Sequence, residues 1–330
     1  MSERVLLAII AGLVLVVGVL VGLLVGGGDD DAPTVAPAES AASTTTAPAD
    51  ETATTSEAPA TTEPPSTTST TSTTTTEAAE PASGVIVAGA GVAGWSEDGA
   101  WVTLDDGEAP AVVGETYQVV QVGEPTRTAT ATAVETGCEF VEGSRNVDGL
   151  MGADDWPDFP LAIAADWDVV PHPIEMLSTE SEIYIDIVAD VLVGQGVIDP
   201  APELRQVIRT DLEGDGVDEV IVIAGHDGLF GAGGAVAAGD YSIAILRRLI
   251  EGEVQTAILG FFTVGDDFDP TTDAPYIVVY RVAAVADLNG DGRMEIAVND
   301  RYYEGSGTIV YDYVNDDLGP VPVLNVGCGV

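Results

Sequence analysis

Two nine-residue stretches, Asp211-Leu-Glu-Gly-Asp-Gly-Val-Asp-Glu219 and Asp287-Leu-Asn-Gly-Asp-Gly-Arg-Met-Glu295, repeat one pattern of acids and glycines 76 positions apart. Each is preceded by an apolar run and followed at once by β-branched residues, Val220-Ile-Val-Ile223 or Ile296-Ala-Val298, so each is confined to a turn between two strands. The pattern also fixes a chemistry. Oxygen side chains stand at loop positions one, three, five and nine, as Asp211, Glu213, Asp215 and Glu219 and again as Asp287, Asn289, Asp291 and Glu295. Glycine at position six permits a sharp turn, and the carbonyl of position seven, Val217 or Arg293, is free to point inward. Calcium takes six to eight oxygen ligands at roughly 2.3–2.6 Å, so alternate residues converging on one centre supply most of a shell and water completes it. Two Ca2+ sites are therefore expected. The competing reading is a pair of Asp-Gly turns on an acidic protein, which explains one such loop more easily than two with matching spacing.

An EF-hand loop begins the same way but places its last ligand at position twelve and runs into a helix. Here position twelve is Val222 or Val298, inside a strand-forming run. Asp-x-(Glu/Asn)-x-Asp-Gly-x-x-Glu followed by such a run is similar to the calcium loops of FG-GAP and VCBS repeats, found in integrin α-subunit propellers and in secreted or surface proteins of bacteria. The resemblance covers two stretches of 20–30 residues. It implies side-chain ligands at the eight positions above and carbonyl ligands at Val217 and Arg293. Glu213 departs from the usual Asp or Asn, and its extra methylene reshapes the first site.

The rest of residues 84–330 reads as mainly β. Residues 85–141 are strands broken by turns at Glu97-Asp98-Gly99, Asp105-Asp106-Gly107 and Gly123-Glu124-Pro125, and 142–175 are irregular, so 84–175 form a β-rich N-terminal subregion. Thr179 and Glu182 make a capping box for the one helix, about 180–194, whose Ile183, Ile187, Val188, Val191 and Leu192 recur at helical spacing. Strands are expected at 206–210, 220–224, 241–249, 254–264, 276–286, 296–298 and 307–313, so 176–330 comprise the helix and two loop-bearing units. Two units do not close a propeller of four to eight blades. A compact, repeat-containing β domain is the first reading and a small or degenerate propeller the second.

Gly89-Ala-Gly-Val-Ala-Gly94 fits a dinucleotide fingerprint, but the third glycine leads into Trp95-Ser-Glu-Asp-Gly99, a turn and not a helix, so no nucleotide is expected.

Residues 5–25 hold no charged or polar side chain. As a helix they would extend about 32 Å against a hydrocarbon core of roughly 30 Å. Arg4 precedes them and Asp29, Asp30 and Asp31 follow, which places residues 1–4 in the cytoplasm and the remainder outside. An uncleaved signal anchor is preferred to a cleaved signal peptide, whose apolar core is shorter. Residues 29–83, rich in Thr, Ser, Pro and Ala with no aromatic residue, read as a disordered stalk. The expected location is a cell membrane, crossed once, with the C-terminal domain extracytoplasmic. There, a lone pair of cysteines, Cys138 and Cys328, is expected to form a disulfide.

The chain carries 55 acids against ten basic residues, all Arg, for a formal charge of −45, a field that repels nucleic acid and anionic lipid. No Gly-x-Ser-x-Gly or His-Glu-x-x-His motif occurs. Of two histidines, His172 lies in an extended Pro-His-Pro and His226 precedes Asp227 as half of a catalytic pair at most. The expected function is a non-enzymatic, membrane-tethered module that binds a protein or glycan. Gly225–Gly239 and Asp300-Arg-Tyr-Tyr-Glu304 are its candidate contact surfaces. A hydrolase of glycans or esters and a structural envelope spacer stay open as alternatives.

Overall fold

The computed structural model describes residues 83–330 apart from 140, 153–158, 227–235, 266, 270, 273–276, 303, 314–318 and 330. The expected cytoplasmic tip, membrane anchor and nearly all of the stalk lie outside the described residues, among which no helix is long and apolar enough to cross a membrane. In chain order the strands are β1 (Ser83–Ala88), β2 (Gly91–Glu97), β3 (Ala100–Val102), β4 (Thr116–Val120), β5 (Arg127–Thr130), β6 (Ala133–Thr136), β7 (Arg145–Asp148), β8 (Leu161–Ala164) and β9 (Glu175–Met176). The helix α1 (Glu182–Gly194) follows. Then come β10 (Leu204–Thr210), β11 (Glu219–Gly225), β12 (Tyr241–Ile250), β13 (Glu253–Thr263), β14 (Val279–Ala286), β15 (Glu295–Tyr302), β16 (Gly305–Asp312) and β17 (Val321–Gly329).

These strands form a six-stranded sheet in the order β3-β2-β1-β8-β4-β5, a five-stranded sheet β13-β12-β11-β10-β9, a four-stranded sheet β14-β15-β16-β17 and the hairpin β6-β7. The second and third sheets are antiparallel meanders, and each acidic loop closes the hairpin between equivalent strands, β10–β11 or β14–β15.

The sheets stack as layers. Val147 and Leu150, in and after the small hairpin, pack on Val85, Tyr117 and Ala162 of the six-stranded sheet. The other face of that sheet, with Ile86, Leu161 and Ile163, meets Ala284, Ala286, Ala297 and Val310 of the four-stranded sheet. Val282, Val285, Ile296 and Val298 of the same sheet meet Ile208, Ile221 and Ile223 of the five-stranded sheet. Alternate residues of β14 and β15 thus serve two cores, small ones on one side and branched ones on the other, and the four-stranded sheet is buried on both faces. Helix α1 closes the stack, setting Val188 and Leu192 on Val207, Val222, Ile243 and Ile245. Both helix residues are fully buried, and truncating Leu192 to Ala costs about 2–5 kcal/mol.

Gln206 ties two layers together. Its side-chain amide donates to the Val282 carbonyl at 3.1 Å and its carbonyl accepts from Val282 N at 2.9 Å, so a side chain plays the part of a strand neighbour beside the bulge between Val282 and Ala284. Cys138 and Cys328 form a disulfide with Cα atoms 5.5 Å apart, fastening β17 to the segment after β6.

The structure differs from the sequence reading in several places, β7 and β9 in the stretch read as irregular among them. The helix starts at Glu182 with Ser181 as N-cap and no side-chain cap bond, so the expected Thr179 capping box does not form; Ser178 Oγ accepts from Glu180 N at 3.1 Å just before it. Leu161–Ala164, inside the stretch read as irregular, is a central strand, four buried residues too short to show a period. β17 was not anticipated, since Pro322 and two glycines hide its alternation. The strand from Ala100 ends at Val102, two residues before the expected Leu104. The glycine triad belongs to the β1–β2 hairpin: Gly94 lies within β2, where a Cβ would stand 2.6 Å from the Val102 carbonyl oxygen and 2.6 Å from Leu324.

Candidate metal centre

Each loop is organised by its first aspartate. Asp211 Oδ1 accepts from Gly214 N at 2.7 Å and Asp215 N at 3.1 Å while Oδ2 accepts from Gly216 N at 2.8 Å. Asp287 repeats this with Gly290 N at 2.7 Å and Gly292 N at 2.9 Å. Position five turns the chain back, Asp215 Oδ1 accepting from Val217 N and Asp291 Oδ1 from Arg293 N, both at 2.8 Å. Position nine closes the loop: Glu219 accepts from Leu212 N at 3.0 Å and Glu295 from Leu288 N at 2.7 Å. The glycines at position six, Gly216 and Gly292, have φ of 88° and 87°, a conformation that a Cβ would strain.

The loops differ in depth. At positions one and three Asp287 and Asn289 are each only 3% exposed, whereas Asp211 and Glu213 are half-buried; position nine is buried in both loops, Glu219 at 2% and Glu295 at 1%, and position five, Asp215 or Asp291, is exposed in both. Trp167 covers the second loop, its Nε1 donating to the Asp287 carbonyl at 2.9 Å, and Asp287 N donates to the Val169 carbonyl at 2.9 Å. The electrostatics follow depth. Burial would raise the Asp211 carboxyl, but the Gly216, Gly214 and Asp215 amides outweigh it and hold the group below its ordinary value. Burial wins at Asp287, which is raised despite the same kind of amide contacts. Burial pushes Glu219 up to about 7 against the Leu212 amide, with the charges of Glu213, Asp211 and Asp215 adding to the rise. Glu295 is raised well above the usual range by burial, then by Asp312, Asp291 and Asp287.

The predicted ligands of each loop are therefore within electrostatic reach of one another. Among the described residues no three His, Cys, Asp or Glu side chains stand together as a ready-made metal cage. A cation held by either loop would draw on carbonyl oxygens and water as well, and in the second loop on Asn289 Oδ1. The fit rests on burial: Asp287 and Glu295 are carboxylates removed from solvent, and neither forms a salt bridge with a described basic residue. A divalent ion would supply the missing charge.

Three functional neighbours were not legible in the sequence. Arg293 Nη2 donates to Glu213 Oε1 at 3.1 Å and to the Tyr313 carbonyl, joining the second loop to the first. Met294 N donates to the Leu212 carbonyl at 2.8 Å. His172 Nε2 lies 3.1 Å from the Gly292 carbonyl oxygen and also packs against Gly214, so the Pro-His-Pro segment touches both loops.

His226 does pair with an acid, but with Asp240, Nδ1 to Oδ1 at 2.6 Å, and it stands edge-on to the Tyr241 ring. Asp227, its expected partner, lies outside the described residues. Most of the Gly225–Gly239 surface does too, while Arg301 and Tyr302 of the other candidate surface are half-buried. Comparison with known protein families, characterised proteins and solved structures finds no match.

Proposed function

We propose that this chain is a calcium-stabilised β domain, tethered to a membrane and held outside it, that acts as a non-enzymatic binding module for a protein or glycan. One observation carries the reading: two loops of equal spacing close equivalent hairpins of successive meanders and draw Glu219, Asp287 and Glu295 into the interior with no salt bridge to a described basic residue. The pairing of a four-stranded meander with an Asp-rich first hairpin also supports kinship with FG-GAP and VCBS units, each meander standing for one blade. Asp211, Glu213, Asp215, Glu219 and the Val217 carbonyl would hold one ion. Asp287, Asn289, Asp291, Glu295 and the Arg293 carbonyl would hold the other. Calcium bound there supplies positive charge to the buried carboxylates and stiffens both hairpins. The loops sit between strands as staples and leave ligand binding to the rest of the surface.

The test is a thermal melt of the full chain in chelator, then with calcium, then with magnesium. Calcium is expected to raise the melting temperature and magnesium to do so far less, because magnesium demands octahedral geometry and gives up its water reluctantly. A melt that ignores calcium removes the proposal. A glycan array and a cell-surface pulldown, each run with calcium and with chelator, then address the ligand, and calcium-dependent hits are expected.

A further inference from the structure

Position seven of the second loop serves two loops. In the calcium reading the carbonyl of Arg293 is a ligand of its own loop, and its guanidinium crosses to the first loop, where Nη2 donates to Glu213 Oε1 at 3.1 Å and to the Tyr313 carbonyl. The same guanidinium lies over the Tyr313 ring, 5.7 Å from its centroid, with Arg248 5.4 Å from that centroid. The ion pair is sheltered, with side-chain exposures of 33% for Arg293 and 20% for Glu213. Backbone contact keeps it in register, since the next residue, Met294, is bonded to Leu212, the residue before Glu213. In the second loop the residue at position three is Asn289, which bonds within its own loop: its Oδ1 accepts from Asp291 N at 3.0 Å and its Nδ2 donates to Asp291 Oδ2 at 3.3 Å.

We infer that Arg293 is a built-in counter-ion that competes with calcium at the first loop, so that the two loops fill unequally, the second before the first. This rests on the calcium reading above. A fixed positive charge beside a divalent ion repels it and shares one of its ligands. One such charge at close range changes divalent affinity roughly tenfold. Glu213, the one departure from the usual ligand set, is thereby given a reason: its longer side chain reaches the arginine of the neighbouring loop.

The experiment is calorimetric titration of calcium into the chelator-stripped full chain. The wild type is expected to bind in two unequal steps, and Asp287→Asn to abolish the tighter one. Arg293→Gln keeps the backbone carbonyl and removes the charge; it is expected to tighten the weaker step about tenfold. Arg293→Lys, which keeps the charge, is expected to leave that step within about threefold of wild type. An unchanged weaker step in Arg293→Gln, or an equal gain in Arg293→Lys, overturns the inference. If Arg293→Gln does not fold, Glu213→Gln asks the same question. Because Arg293 competes for this ligand, its loss shifts the weaker step less than about threefold, whereas a larger loss shows that Glu213 serves the ion in full despite Arg293 and overturns the inference. Two equal steps in the wild type would defeat the counter-ion and leave the calcium reading standing; no calcium heat with an unmoved melt would defeat both.

Discussion

The two acidic loops share a spacing, a hydrogen-bond scheme and a glycine geometry, yet their first and third positions are buried only in the second. The first closes a hairpin of the five-stranded sheet, whose outer face meets helix α1. The second closes a hairpin of the sheet that is covered on both sides. The same aspartate at position one is held below its ordinary value in the first loop and raised in the second, with similar amide contacts in each. The motif therefore sets which oxygens converge, and the layer in which it sits sets what their charge costs.

Four measurements bear on that comparison, the first with the largest expected effect. Calcium at 100 times its dissociation constant adds about 2.7 kcal/mol per site, so chelation should lower the melting temperature by the sum of two such contributions. If the loops fill unequally, limiting calcium should recover the share of the second loop first. Next, Asp287→Asn in calcium should cost about 2–3 kcal/mol and Asp211→Asn about 1 kcal/mol, read by denaturant unfolding. Equal losses would erase the distinction drawn from burial.

The third effect has a sign. Glu219 moves from an ordinary 4.5 to about 7 in the folded chain, so the fold binds this proton more tightly than the unfolded chain does. The stability it contributes without calcium is complete below 4.5 and is lost as pH rises through about 7. Calcium favours the carboxylate, so its stabilising effect should grow across the same window. Glu219→Gln should flatten the calcium-free slope, and a melting temperature in chelator that climbs between pH 5 and 7 in the wild type would contradict the assignment. Last, Gly216→Ala and Gly292→Ala should each cost only about 1 kcal/mol and by similar amounts, because both have positive φ and open space where a Cβ would go. A large inequality here would mean that the loops differ in backbone as well as in depth.

Much of this was legible from local chemistry. The loop pattern located both hairpins, the β-branched runs located β10 to β16, and the expectation of an oxidising compartment paired Cys138 with Cys328. What sequence could not give was adjacency between distant segments. Nothing in Pro171-His172-Pro173 points to Gly214 and Gly292, and nothing local pairs Glu213 with a residue 80 positions away. Leu161–Ala164 and Val321–Gly329 were missed because a short buried strand has no polar alternation and a proline-bearing edge strand breaks its own. Burial depth was equally hidden, since the same aspartate at position one is half-buried in one loop and buried in the other.

The order of layers is not the order of the chain. The six-stranded sheet is complete by residue 164 and the five-stranded sheet by residue 263, but the sheet between them is built from 279 onward. During synthesis the two outer layers emerge first with the apolar faces that will receive the middle one still uncovered, and contacts of large sequence separation form slowly. Folding then becomes an insertion, in which residues 279–330 slide in as a keystone. Cys328 stands at the far end of that segment, so its bond to Cys138 can close only after the keystone has been made. The disulfide thus works as a receipt for completed assembly, and a chain truncated before β14 would present two open faces with nothing to join them.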